Sequence, residues 1–119
     1  MKPRMFELAK KLSQKSTSRF KLGCVIANKN KVISLGYNSM DKTHPKVPSV
    51  WKMLHAELHA LIGNSYNDTK GCVAYIYRET KDGKLANAKP CQMCEDALRL
   101  AGLRKVFYSD LEGFKEYKL

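Results

Sequence analysis

The sequence contains no apolar run long enough to span a bilayer, and its basic N-terminus leads into no signal-peptide core. Neither a membrane partner nor secretion is expected. Internal repeats, low-complexity tracts and linkers are also missing, so solenoids and tail-bearing modules are set aside. Only four cysteines occur, at 24, 72, 91 and 94. Two of them form a C-x-x-C and the other two fall within apolar runs, which argues for a reduced, cytoplasmic setting over a disulfide-stapled secreted fold. Acidic residues are scarce, 11 against 22 Lys and Arg, for a net charge of +11. Such a charge attracts polyanions and steers phosphorylated ligands, although composition alone also describes a lysine-rich solvated surface.

What is present suits one globular domain over residues 1–119, with 44% hydrophobic residues. Met5, Leu8, Ala9 and Leu12 recur at helical spacing, with Lys2, Arg4, Lys10, Lys11 and Lys15 on the other face. Leu22–Ala27 and Val32–Tyr37 read as two strands of an antiparallel hairpin around the polar turn 28–31. A basic, turn-rich loop follows over 39–53, containing Lys42, His44, Pro45, Lys46 and Pro48. Leu54, Leu58, Leu61 and Ile62 predict a second helix ending at Gly63-Asn64. Gly71–Tyr77 reads as a central strand, the segment from Lys81 to Lys89 as exposed, and Cys91–Ala101 as a third helix stopped by Gly102. Lys105–Ser109 is the last clear strand, and residues 110–119 read as a short helix or a loose tail. The order α-β-β-α-β-α-β predicts a three-layer α/β/α domain. Its later strands are parallel beside the antiparallel hairpin.

Two stretches carry chemistry: His55-Ala56-Glu57 and Pro90-Cys91-Gln92-Met93-Cys94. One imidazole and two thiolates make three zinc ligands, His55, Cys91 and Cys94. Three protein ligands leave a tetrahedral position open, as in catalytic rather than structural sites. Glu57 is placed to sit beside the metal's water without binding the ion, and zinc brings the pKa of such water towards roughly 7. A structural zinc would close with a fourth Cys or His, and a redox C-x-x-C needs no His-x-Glu. His59 lies four residues after His55, but a zinc protease requires His-Glu-x-x-His, so His59 reads as a packing residue. Trp51, the lone tryptophan, reads equally as a base-stacking residue and as a buried anchor of the loop.

The pair HAELHAL (55–61) and KPCQMC (89–94) resembles the cytidine/deoxycytidylate deaminase superfamily of zinc-dependent nucleobase deaminases. The resemblance covers nearly the whole chain. It implies the cytidine-deaminase-like fold with a mixed sheet of four to five strands, though no fifth strand is evident at the C-terminus. It implies one catalytic Zn2+ and Glu57 as the proton shuttle in hydrolytic deamination. By the same resemblance, Asn38, in Gly36-Tyr37-Asn38, contacts the substrate sugar, and backbone N–H groups near Ala56 and Cys91 help position the base. Tyr108 is a further candidate substrate contact. Many such relatives are homo-oligomers.

Two substrate classes stay open. One is a cytosine-type base in a free nucleotide or nucleoside, dCMP or cytidine, which the compact chain and the Gly-Tyr-Asn element favour. The other is a cytosine or adenine in single-stranded DNA or RNA, which the basic first helix favours. Beyond these stand another aminated ring, such as a pterin or guanine, and an inactive deaminase fold that binds nucleic acid.

Overall fold

The structure, a computed structural model, describes residues 2–16, 20–38 and 55–119. Chain order is α1 (Pro3–Ser13), β1 (Lys21–Asn28), β2 (Lys31–Tyr37), α2 (Ala56–Leu61), α3 (Tyr66–Thr69), β3 (Val73–Glu79), α4 (Gln92–Leu100), β4 (Lys105–Asp110) and β5 (Gly113–Lys118). The five strands form one sheet in the order β2-β1-β3-β4-β5. β3 and β4 are parallel, joined through α4, and every other neighbouring pair is antiparallel.

Strand side chains alternate between faces, and the two faces build separate cores. Cys24, Ile26, Ala74, Ile76 and Val106 pack against Ala56 and Ala60 of α2 and Leu98 of α4. Val25, Ala27, Tyr75, Tyr77 and Phe107 pack against Met5, Phe6, Ala9 and Leu12 of α1. Pro3 at the start of α1 suits a position whose N–H would have no helical partner. The exposed cations Arg4, Lys10, Lys11 and Lys15 therefore lie on the α1 layer, across the sheet from α2 and α4.

Two expectations are corrected. Residues 113–118 are neither helix nor loose tail but a fifth strand, antiparallel to β4. Gly113 turns the chain at φ +138, and the Asp110 carboxylate accepts the Glu112 N–H at 2.8 Å. Phe114 then packs on Phe6 at 4.1 Å between ring centroids, while Tyr117 meets Tyr108 edge-on at 5.9 Å. Phe6 lies far away in the chain, so no local periodicity announces that contact.

The segment before Pro90 is not uniformly exposed either. Ala86, Ala88 and Pro90 are buried, because this stretch is laced across the ends of β3 and β4. Ala86 N–H donates to Arg78 O at 3.0 Å and Ala88 N–H to Ser109 O at 2.8 Å. The buried Ser109 hydroxyl accepts from Arg78 N–H and donates to Ala86 O, both at 3.0 Å. This lacing delivers Pro90-Cys91 to the start of α4 in a set position.

Candidate metal centre

α2 and α4 present their N-termini to the same end of the sheet. His55 is the N-cap of α2 and Cys91 the N-cap of α4, both with extended backbone. Caps are usually Ser, Thr, Asp or Asn, whose side chains fold back onto the helix. Neither His55 nor Cys91 makes a side-chain cap bond, so both side chains remain available to a third party. Cys94 lies one turn into α4 and is fully buried.

These three residues supply ligand atoms that all lie within 4.8 Å of one another. Cys94 Sγ is 3.3 Å from His55 Nδ1. Tetrahedral zinc with ordinary Zn–S and Zn–N lengths separates such atoms by roughly 3.5 Å, so the donor set and its spacing fit one zinc ion. No fourth Cys, His, Asp or Glu joins them among the described residues.

Electrostatics point the same way. Glu57 is 3% exposed, and burial raises its pKa above the usual carboxylate range, partly offset by its own backbone N–H and by the Cys94 thiol. Burial also pushes the Cys94 thiol up, and the neighbouring Glu57 charge adds to that. Burial lowers the pKa of His55, which keeps its imidazole neutral and ready to ligate. None of the ion pairs among the described residues involves Glu57. A divalent cation held by the neighbouring ligands would supply the missing positive charge.

α2 is seated by the strand beneath it. Its backbone lies directly on Gly36, where an added Cβ would run into the Ala56 carbonyl oxygen and the Ala60 amide. Ser34 donates its hydroxyl to Ala60 O, and Asn64 Nδ2 donates to Ser34 Oγ at 3.1 Å. His59 is part of this seating and not of the metal cluster: Tyr37 N–H donates to its Nδ1 at 3.0 Å. Cys24 of β1 is fully buried within reach of the Glu57 charge, which together with burial holds its thiol protonated.

The other candidates fall in distinct places. Asn38 is 2% exposed and both ends of its amide are engaged: Oδ1 accepts Leu22 N–H at 2.9 Å and Nδ2 donates to Phe20 O at 2.7 Å. It clasps the entry of β1 to the exit of β2. Ala56 is buried at the first position of α2, where its N–H has no intrahelical partner. Tyr108 is half-buried in the α2/α4-side core against Tyr117. Trp51 and the basic loop 39–53 lie outside the described residues. A separate cavity of about 460 Å³, lined by Phe6, Tyr77 and Phe114 among others, opens on the α1 side of the sheet, across from the metal cluster.

Residues 2–110 match the family model of the cytidine and deoxycytidylate deaminase zinc-binding region. The chain belongs to this family. It is similar to deoxycytidylate deaminase of Homo sapiens, 27% identical over 101 residues that cover 71% of this chain and 49% of that protein. The chain thus spans about half the length of the relatives it matches. Among solved structures, the fold is shared with the dCMP deaminase of cyanophage S-TIM5. That likeness has a TM-score of 0.64 and 24% identity over 91% of this chain and 84% of the phage chain. It is shared also with the cytidine deaminase of Burkholderia pseudomallei, with a TM-score of 0.71 and 18% identity over 99% and 92% of the two chains. The three residues expected from the sequence as ligands, His55, Cys91 and Cys94, lie together, whereas Gly36, Cys24 and Ser109 were not singled out there. Gly36 alone had a local signal, as the small residue of Gly36-Tyr37-Asn38.

Proposed function

We propose that the chain is a zinc-dependent hydrolytic deaminase acting on a cytosine-type base in a free nucleotide or nucleoside, dCMP or cytidine being the type substrates. The observation that carries this reading is the buried Glu57 carboxyl, in no ion pair among the described residues, beside three ligand atoms within 4.8 Å of one another. Zinc held by His55, Cys91 and Cys94 would supply Lewis acidity that makes water nucleophilic near neutral pH. The balance is one water in and one ammonia out: a C–O bond forms at the amino-bearing ring carbon and its C–N bond breaks. Glu57 takes a proton from the water, gives one to the ring nitrogen, and delivers one to the departing amine. A carboxyl whose pKa burial has raised is suited to both halves of that traffic. The Ala56 N–H, with no intrahelical partner at the helix start, would hold a polar edge of the base.

The free-monomer reading draws support from the fold's allocation of charge. The basic face of α1 lies on the opposite side of the sheet from α2 and α4, so it does not line the metal site. The dCMP deaminase of cyanophage S-TIM5 has been solved in complex with dCMP and dUMP.

The test is zinc-loaded protein incubated separately with dCMP, cytidine and a cytosine-containing single-stranded oligonucleotide, with amino-to-carbonyl conversion scored by mass spectrometry. Conversion of a monomer is expected, and Glu57→Gln should keep its zinc while losing about 10²–10⁴-fold in rate. Conversion confined to the oligonucleotide, or a Glu57→Gln enzyme of near wild-type rate, overturns the proposal. Salt-dependent oligonucleotide binding without turnover would instead reveal a binding module.

A further inference from the structure

The four cysteines are all free thiols, and they divide by exposure. Cys91 is exposed, whereas Cys24, Cys72 and Cys94 are fully buried. A thiol's reactivity depends on access, so Cys91 alone can meet a dissolved oxidant directly. Its place is fixed as well. It caps α4 without a side-chain cap bond, and it follows the buried Pro90 and the segment bonded to β3 and β4.

Cys94 is the thiol within reach of it. The two sulfurs and a ring nitrogen of His55 lie within 4.8 Å of one another. Residues three apart on an α-helix have Cα atoms about 5 Å apart, inside the window of about 4.4–6.8 Å that a disulfide spans. Cys91 and Cys94 stand at that spacing on the first turn of α4, so a bond between them asks for no movement of helix against sheet. Cys24 lies on the same side of the sheet but belongs to β1, opposite Gly36 of β2 and Ile76 of β3. With a ladder on both edges, β1 cannot carry Cys24 towards α4 without breaking strand pairing. Cys72 stands at the start of β3, its Sγ 3.5 Å from Asp68 O.

We propose that Cys91 and Cys94 form a redox switch on the metal centre: a hydroperoxide oxidises the exposed Cys91, the buried Cys94 closes a disulfide onto it, and two of the three ligands are withdrawn from the metal. The balance is two thiols and one hydrogen peroxide in, one disulfide and two waters out. The O–O bond breaks as Cys91 sulfur takes one oxygen to become a sulfenic acid, and the first water leaves. Cys94 sulfur then attacks Cys91 sulfur. The S–S bond forms, the S–O bond breaks, and the second water carries off the Cys94 thiol proton. Sulfur is oxidised and peroxide oxygen reduced. A resolving thiol one helical turn away also stops Cys91 short of the sulfinic acid, which thiol reductants do not reverse. The proposal rests on the ligand assignment above and is independent of which base is deaminated.

The experiment treats the zinc-loaded full chain with hydrogen peroxide. Zinc release is followed with a chromophoric chelator, free thiols with a chromogenic disulfide reagent, and the bond by peptide mass mapping. One zinc per chain should be released as free thiols fall from four to two, with a loss of two hydrogens mapped to residues 91 and 94. Dithiothreitol should restore both thiols and zinc binding. Cys24→Ala and Cys72→Ala should each still lose two thiols, whereas Cys91→Ser should form no disulfide, a result the map reads whether or not that variant holds zinc. Retention of all four thiols under peroxide that oxidises free glutathione overturns the proposal and leaves the ligand assignment intact. So does a disulfide to Cys24, to Cys72 or between chains, or oxidation of Cys91 that dithiothreitol does not reverse. A reduced chain that takes up no zinc refutes the ligand assignment itself, and the switch on the metal falls with it.

Discussion

Replacing Gly36 by alanine should loosen the metal centre from beneath. The added Cβ would lie 3.0 Å from Ala60 Cα and closer still to the Ala56 carbonyl oxygen and the Ala60 amide. Carbon contacts are comfortable only from about 3.5 Å, so α2 must lift by about 1 Å. α2 is six residues long and His55 is its cap, so that lift is transmitted to the imidazole that faces Cys94 at 3.3 Å. Metal sites tolerate about 0.2 Å in ligand placement, and disturbing the groups that orient a ligand typically weakens zinc binding by about 10–100-fold. Overpacking of this kind also costs about 1–3 kcal/mol of stability. Gly23→Ala is the matched control. Its Cβ would press on the other helix layer, 2.7 Å from Ser13 N of α1 and closer to Ala9 O. It should destabilise to a similar degree but leave zinc affinity alone. The assays are zinc titration against a chromophoric chelator and urea unfolding of both variants. The reasoning fails if Gly36→Ala binds zinc as tightly as wild type, or if Gly23→Ala loses affinity to the same extent.

Two further outcomes follow from the same geometry. Asn38→Ala strands the Leu22 N–H and the Phe20 carbonyl, so urea unfolding should show a loss of about 1–3 kcal/mol. A variant of wild-type stability would mean that this clasp carries no weight. Zinc binding to the folded chain should stabilise it by about 2.7 kcal/mol when free zinc stands at 100 times its dissociation constant. Chelation should therefore lower the melting temperature in calorimetry, and His55→Ala should be insensitive to the chelator.

The lacing of 84–90 onto β3 and β4 shows how a site's frame can stay hidden in the chain. Nothing within that segment reports that Ser109, some twenty residues later, will accept Arg78 N–H and hold Ala86. The Glu57–Cys24 neighbourhood is hidden for the same reason: a strand residue and a helix residue meet only once the sheet register is set. Asn38 was legible as the residue closing a hairpin. Its commitment to two backbone groups of the opposite strand end was not.

By itself the sequence determined whatever depends on near neighbours. Helical spacing defined α1, the polar turn at 28–31 defined the hairpin, and the three-residue step from Cys91 to Cys94 put two thiols on one helical turn. The imidazole and carboxyl two residues apart, with the thiol pair after a proline, were enough to name the family's chemistry. Tertiary structure alone decided that both helix starts aim at one end of the sheet, bringing Cys94 within 3.3 Å of His55. It also put the basic helix on the far face, made a strand of 113–118, and set Arg78 beside Phe20. Local bonds act over three or four residues and are written in composition and spacing. Which distant surfaces meet is settled by burying both faces of the sheet at once, and that solution belongs to the whole chain.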